Sequence, residues 1–139
     1  MRIMALDIGE KRTGIAISDP AERVASPVCV LPTAEVVAGA VPFRRVLDDW
    51  EPELLVCGLP LTLAGEEGPQ AARIREAAVA IGQAAQLACE FCDERLSSAE
   101  AKRILREKGY TEKTMRGKVD MIAASLFLQA WLDGRAPRT

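Results

Sequence analysis

The chain has 139 residues, of which 49% are hydrophobic, so length and composition fit one folded domain and exclude a disordered chain. It contains no histidine, which excludes Ser-His-Asp and Cys-His catalysis and histidine-ligated zinc, so a hydrolase of this sequence must use carboxylates. The net charge of −2 does not by itself indicate a nucleic-acid partner. No apolar run approaches the roughly 18 residues of a membrane span, and Asp7 interrupts any N-terminal signal region, so we expect a cytoplasmic protein.

Hydrophobic periodicity and turn residues predict the elements of secondary structure in chain order. Two strands separated by a tight turn at residues 9–11 form an antiparallel hairpin. Pro42 is expected to interrupt or kink the first helical stretch, and Pro69 suits the first turn of the next helix. The predicted elements are strands at 2–8, 13–18 and 24–30, a helix at 34–50, a strand at 54–58, a helix at 69–87, a strand at 87–93, and helices at 97–109 and 118–132.

This order predicts a mixed sheet covered by helices, because a hairpin is followed by strand-helix-strand units. The crossover helices make the later strands parallel to one another, and functional residues gather at the carboxyl ends of such strands. We expect one domain over residues 1–134 and a loose C-terminal tail over residues 135–139. The polar loops at 61–68 and 110–117 are expected to frame a substrate.

Four cysteines are present, and two of them, Cys89 and Cys92, have the spacing of a zinc or redox half-site. No second pair accompanies them, and residues three apart in a strand face opposite sides of the sheet. We therefore expect no metal or redox role for this pair. Cys29 and Cys57 lie in apolar stretches and are predicted to be small buried residues.

Acidic residues follow two of the predicted strands and begin the last helix. Asp7 ends the first strand, Asp93 and Glu94 end the last strand, and Asp120 lies in the first turn of the last helix. Asp7 alone suits a bond to turn amides, and Asp120 alone suits the helix N-terminus. Together the acids form a cluster that is costly unless a cation compensates its charge, and oxygen-only ligands suit Mg²⁺ or Mn²⁺.

Four motifs in order resemble those of the YqgF family, and together they cover nearly the whole chain. Residues 6–19, LDIGEKRTGIAISD, resemble the opening motif of that family. This family comprises Holliday-junction-resolvase-like proteins that are also assigned to maturation of the 16S ribosomal RNA precursor. The other motifs are GLPL at 58–61 with GEEG at 65–68, DERLSS at 93–98, and VDMIAA at 119–124 with Leu128 and Gln129.

The resemblance implies an α/β ribonuclease H-like fold, a five-stranded mixed sheet in the order 3-2-1-4-5 with helices on both faces. It also implies a metal-dependent nuclease that uses Mg²⁺ or Mn²⁺, with Asp7, Glu94 and Asp120 as catalytic residues and metal ligands. We prefer Glu94 to Asp93 because adjacent strand residues face opposite sides and the glutamate arm is longer. Asp93 is then a candidate to position the metal ligands without binding the metal itself. Departures from the family pattern at Ala64 and Met121 put substrate details in doubt rather than the chemistry.

Basic residues accompany each proposed ligand and suit contact with nucleic-acid phosphates. The alternative is that they form ion pairs with the same acids. Aromatic residues make up only 4% of the chain, so recognition is expected to depend on backbone and shape rather than on base stacking. The predicted nucleic-acid-binding residues are Lys11, Arg12, Arg95, Arg116 and Lys118.

Several functions stay open at this point. The substrate is a ribosomal RNA precursor or branched DNA, and cutting a four-way junction requires two active sites and therefore a homodimer. A non-catalytic RNA-binding factor for ribosome assembly is a further alternative. The segment Asp7-Ile8-Gly9 followed by Gly14 also resembles the first phosphate loop of actin-like and sugar-kinase ATPases, but those proteins require a second, duplicated domain.

Overall fold

A computed structural model describes residues 1–61, 64–94 and 97–135. Its centre is a five-stranded mixed sheet in the order β3-β2-β1-β4-β5, which confirms the predicted order. The strands are β1 (Ile3–Ile8), β2 (Arg12–Ser18), β3 (Ala25–Pro32), β4 (Leu54–Leu59) and β5 (Cys89–Asp93). The pairs β1–β2 and β2–β3 are antiparallel, whereas β1–β4 and β4–β5 are parallel.

Five helices are described, and they lie on both faces of the sheet, as predicted. They are α1 (Thr33–Ala38), α2 (Val41–Trp50), α3 (Pro69–Ala85), α4 (Ser97–Glu107) and α5 (Val119–Arg135). Alternate residues of each strand point to opposite faces. On one face Met4, Leu6 and Ile8 pack with α1, α2 and α3, and on the other Ile3 and Ala5 pack with α5. Asp7 shares the face of Ile3 and Ala5, which places it under α5.

The predicted helix at 34–50 is two helices in the structure. The break falls at Gly39, whose φ of +64° ends α1 in the left-handed conformation. Pro42 therefore lies in the first turn of α2, where a missing amide hydrogen is tolerated, rather than at a kink inside a continuous helix. Sequence periodicity did not reveal the break because both helices present apolar residues to the same core.

The last helix is longer than predicted and ends at Arg135, which we had assigned to the loose tail. The guanidinium of Arg135 stacks over the Trp131 ring, 4.4 Å from its centroid, and lies 3.4 Å from a carboxylate oxygen of Glu22. Both contacts hold Arg135 in the helix. The rest of the predicted tail, residues 136–139, lies outside the described residues. No helix in the described ranges is both long and apolar enough to cross a bilayer.

All four cysteines are free thiols. Cys57 is buried, as predicted, whereas Cys29 is only half-buried. Cys89 packs against the α3 side of the sheet and Cys92 against the α5 side, so the two face opposite sides, as their spacing predicted. The Sγ atoms of Cys57 and Cys89 are 3.1 Å apart on neighbouring strands.

Candidate active site

Asp7 occupies the centre of the sheet near the carboxyl end of β1, and only 8% of its surface is exposed. On one side it pairs in register with Gly14 of β2. On the other side Leu6 pairs with Cys57 of β4, which brings Gly58 next to Asp7. The aspartate therefore has a glycine on each neighbouring strand, and neither glycine carries a side chain that would cover it.

Glu94 follows β5 and reaches toward Asp7 over Gly58. A Cβ atom added to Gly58 would lie 2.8 Å from the Glu94 Cβ and 2.9 Å from its Oε2. The side chains of Glu94 and Asp7 are hydrogen-bonded to each other. Asp93, the residue before Glu94, shares the opposite face of β5 with Cys89 and Phe91 and lines a separate groove with Glu67 and Arg75. The alternation of the strand thus separates the two adjacent acids.

Asp120 reaches the same region from the first turn of α5. Its backbone lies directly on Gly14, where an added Cβ atom would overlap the carbonyl group of Asp120 and lie 2.5 Å from the Met121 amide nitrogen. The absence of a side chain at Gly14 is what allows the helix to approach the sheet this closely. The Asp120 carboxylate lies 3.6 Å from the guanidinium Nε of Arg12.

The three acids are strongly perturbed by their surroundings. Burial raises the pKa of Asp7 from 3.8 to about 9, and the hydrogen bond to Glu94 with the charges of Glu94 and Asp120 adds to the rise. Burial also raises the pKa values of Glu94 and Asp120, although Arg12 and Lys102 oppose the rise at Asp120. These carboxylates are costly to ionise together without a compensating cation, which is typical of functional sites.

The donor set fits a divalent metal in type, because it consists of carboxylate oxygens around a partly buried position. Within the described ranges, no three Asp, Glu or Cys side chains converge closely enough to hold a metal ion as they stand. In the structure Asp7 and Glu94 share a hydrogen bond, and Asp120 is paired with Arg12. A metal would therefore compete with these two contacts for the same oxygens.

A basic groove of about 340 Å³ adjoins Asp120. Arg12, Lys102 and Arg116 line it, together with Glu112. We did not predict Lys102 as a site residue from sequence, because it was one of seven cations between positions 102 and 118 and nothing singled it out. Its placement on α4, which packs against α5, brings it to the groove.

Two other predicted nucleic-acid-binding residues, Lys11 and Lys118, do not line this groove. Lys11 is exposed in the β1–β2 turn, and its carbonyl oxygen accepts a hydrogen bond from the Thr33 amide. The Lys118 ammonium lies 5.7 Å from the centroid of the Tyr110 ring. Arg95 lies outside the described residues. For Arg12, the structure shows the alternative that we considered, an ion pair with a proposed ligand.

Gly58 gives a first test of this packing. We expect Gly58→Ala to lower the free energy of unfolding by about 1–3 kcal/mol, because the new methyl group must displace Glu94 and the Phe127 ring, which lies 2.8 Å from its position. Urea unfolding measures this loss. The control is Gly68→Ala, where the added Cβ atom has no neighbour within 4 Å. Gly65 also has open space around it, but its positive φ would strain any other residue. Equal stability of both variants would contradict the packing described.

Comparisons with known proteins agree with the fold. A family model described as "RuvX: Holliday junction resolvase" matches residues 1–134. A protein of Anaeromyxobacter sp. strain Fw109-5, named "Putative pre-16S rRNA nuclease", is 40% identical over 97% of this chain and 98% of its own length. A protein of the same name from Chloroflexus aggregans is 38% identical over 96% of this chain and 94% of its own length.

Solved structures of low sequence identity share the architecture. Thermus thermophilus RuvC in complex with a Holliday junction substrate has a TM-score of 0.56 at 14% identity and covers 97% of this chain and 95% of its own. The fowlpox virus Holliday junction resolvase has a TM-score of 0.53 at 17% identity and covers 96% and 99%. These similarities show the ribonuclease H-like fold. Because the family model spans residues 1–134 and relatives match along almost the whole chain, this protein belongs to the RuvX family of nucleases, the family that the four sequence motifs resemble.

Proposed function

We propose that this chain is a divalent-metal-dependent endonuclease that processes the 16S ribosomal RNA precursor in the cytoplasm. The observation that carries the proposal is that Asp7, Glu94 and Asp120 lie near one another at the carboxyl end of the central strand β1, with raised pKa values and a basic groove beside them. Relatives that are up to 40% identical over nearly the full chain carry the name "Putative pre-16S rRNA nuclease", and this name favours RNA as the substrate.

Asp7, Glu94 and Asp120 would hold Mg²⁺ or Mn²⁺. When bound, such ions supply activation of the attacking water and charge stabilisation at the phosphate and the leaving oxygen. The roles of the protein groups follow from their positions. Asp7, the most buried of the three acids, lies between the other two and would contribute the central ligand, whereas Glu94 and Asp120 would contribute ligands from either side.

In this proposal Arg12 has two alternative charge partners, the Asp120 carboxylate and a phosphate of the substrate. In the structure its guanidinium pairs with Asp120. If Asp120 bound a metal ion, the Arg12 guanidinium would be free to turn toward the groove that it lines with Lys102 and Arg116. A phosphate next to the scissile bond would meet these three cations, and such contacts position the backbone without reading the bases.

Branched DNA is the second candidate substrate, because the description of the matching family names a Holliday junction resolvase. The two candidates are separated by cleavage assays on a labelled fragment of the 16S precursor and on a four-way DNA junction, each with Mg²⁺, Mn²⁺ or EDTA. We expect metal-dependent cutting of the RNA. Preferential cutting of the junction would assign the second candidate and would require a homodimer, whereas binding of RNA without any cutting would support a non-catalytic assembly factor.

Two adjacent acids on opposite faces provide a matched pair of variants for the same assay. Glu94→Gln is expected to lower the cleavage rate by about 100-fold, because it removes one carboxylate from the proposed site. Asp93→Asn is expected to retain the rate within about threefold, since the residue shares the face of Phe91, away from Asp7. The reverse result would exchange the roles of the two residues, and equal losses would show that the alternation does not separate them functionally.

A further inference from the structure

A second groove lies across the β1–β2 turn from the basic groove. Its volume is about 440 Å³, and its lining includes Gly9 and Glu10 of the turn and Gln70 and Arg73 of α3. Arg12, at the other end of the same turn, lines the basic groove beside Asp120. The end of β1 therefore separates two grooves, one on each face of the sheet, and the turn is the ridge between them.

Gln70 and Arg73 carry the side-chain donors of the second groove that are not used internally, whereas the Thr33 hydroxyl donates to the Gly9 carbonyl oxygen. They lie three residues apart on α3, so their side chains share one side of the helix. Neither side chain makes a hydrogen bond or an ion pair with any other residue that the structure describes. Arg75, two residues further along the same helix, differs in this respect: it is doubly hydrogen-bonded to Glu67 and stacks on Phe91.

The chemistry of these donors suits a phosphodiester. A guanidinium offers five N–H donors in a planar fork that matches phosphate oxygens, and the Gln70 amide adds two more. The groove also carries the carboxylate of Glu10, which forms no ion pair with Arg73 among the described residues, so the donors of the Arg73 guanidinium are not taken up by it. The floor is apolar and contains Ile8 and Ile74, which are each 5% exposed.

We propose that Gln70 and Arg73 form a second phosphate-binding subsite, which holds the nucleic-acid strand after it crosses the Gly9–Arg12 turn from the acids. The proposal rests on the proposed nuclease function, since it extends the path of the same substrate. A phosphate bound near Asp7 would lie at the carboxyl end of β1, and a strand that continued across the Gly9–Arg12 turn would enter this groove, which Gly9 and Glu10 line. Phosphate contacts in the grooves on both sides of the turn would then hold the nucleic-acid strand across it.

The test measures binding without cleavage. Fluorescence anisotropy of a labelled single-stranded RNA in EDTA compares the wild type with Arg73→Ala and Gln70→Glu, and Arg45→Ala, an exposed arginine of α2, is the matched control. Arg73→Ala is expected to weaken binding by about tenfold and to reduce the slope of log K against log salt by about 0.7, the value for one lost phosphate contact on a single strand. Gln70→Glu should weaken binding similarly without loss of thermal stability, because an acid near a helix N-terminus is not destabilising.

A series of oligonucleotide lengths, from a dinucleotide upward, locates the contact. The difference between wild type and Arg73→Ala should vanish for strands too short to cross the turn. Loss of affinity no greater than that of Arg45→Ala, or an equal loss at every length, would overturn the subsite. The binding test contains no metal and does not depend on cleavage. A protein that binds RNA in this way but never cuts it when metal is added would therefore contradict the nuclease proposal and leave the subsite intact.

Discussion

Asp7→Asn is expected to lower the metal-dependent cleavage rate by about 1,000-fold or more, a loss of about 4 kcal/mol in the stabilisation of the transition state. Asp7 lies between Glu94 and Asp120, is hydrogen-bonded to Glu94 and is the most buried of the three, so its loss removes the central carboxylate of the cluster. The measurement is single-turnover cleavage of the preferred substrate in Mg²⁺. The matched control is Asp48→Asn, the same substitution at an exposed position of α2, which should cut at the wild-type rate.

The same variant is expected to be more stable than the wild type in the absence of metal. Folding raises the pKa of Asp7 from 3.8 to about 9, so the folded protein holds a proton that the unfolded chain releases once the pH exceeds 3.8. The stability of the metal-free protein therefore falls as the pH rises through this window. Asparagine has no charge to bury, and it removes that dependence.

Thermal melting in EDTA at several pH values checks this expectation. At pH 8 the melting temperature of Asp7→Asn should exceed that of the wild type by about 5 °C, and the difference should shrink toward pH 4. Addition of Mg²⁺ should raise the melting temperature of the wild type but not of the variant. A variant that is inactive and more stable cannot owe its inactivity to misfolding. A variant less stable than the wild type at pH 8 would show that Asp7 is ionised in the folded protein.

The strands and their faces could be predicted because burial dictates their sequence pattern. All six residues of β1 and of β4 are buried, so both strands appear in the sequence as continuous apolar runs. Because successive side chains of a strand point to opposite faces of the sheet, the sequence alone places Asp93 and Glu94 on opposite faces. Pro42 correctly predicted that the helical stretch is interrupted, but the break falls at Gly39, which ends the first helix in a left-handed conformation and is a weaker signal in the sequence than proline.

What the sequence could not provide is the distance between elements that are far apart along the chain. Lys102 reaches the basic groove only because α4 packs on α5, and no local pattern encodes that contact. Gly14 and Gly58 were visible as isolated glycines in apolar strands, which is a signal of close backbone approach. The partners that approach them, Asp120 and Glu94, follow about 106 and 36 residues later, and only the fold identifies them.

Gly14→Ala is therefore expected to be the most damaging alanine substitution among the described glycines, since the added Cβ atom at Gly14 meets the closest neighbour. The added methyl group would overlap the backbone of Asp120, and backbone cannot rotate away as the end of a flexible side chain can. Helix α5 would have to move off the sheet and uncover part of the core formed by Ala16, Ala124 and Phe127. We expect a loss of about 3 kcal/mol or more in the free energy of unfolding, measured by urea denaturation.

The same displacement moves Asp120 away from Asp7, so any Gly14→Ala protein that folds should also cut its substrate at least about 10-fold more slowly. Gly134→Ala, near the end of the same helix, is the control: an added Cβ atom there has no neighbour within 4 Å, and alanine favours the helix by about 0.5–1 kcal/mol. If Gly14→Ala unfolds at the wild-type urea concentration and keeps its activity, α5 does not need to lie on β2. The position of Asp120 in the active site would then have to be set by something other than this contact.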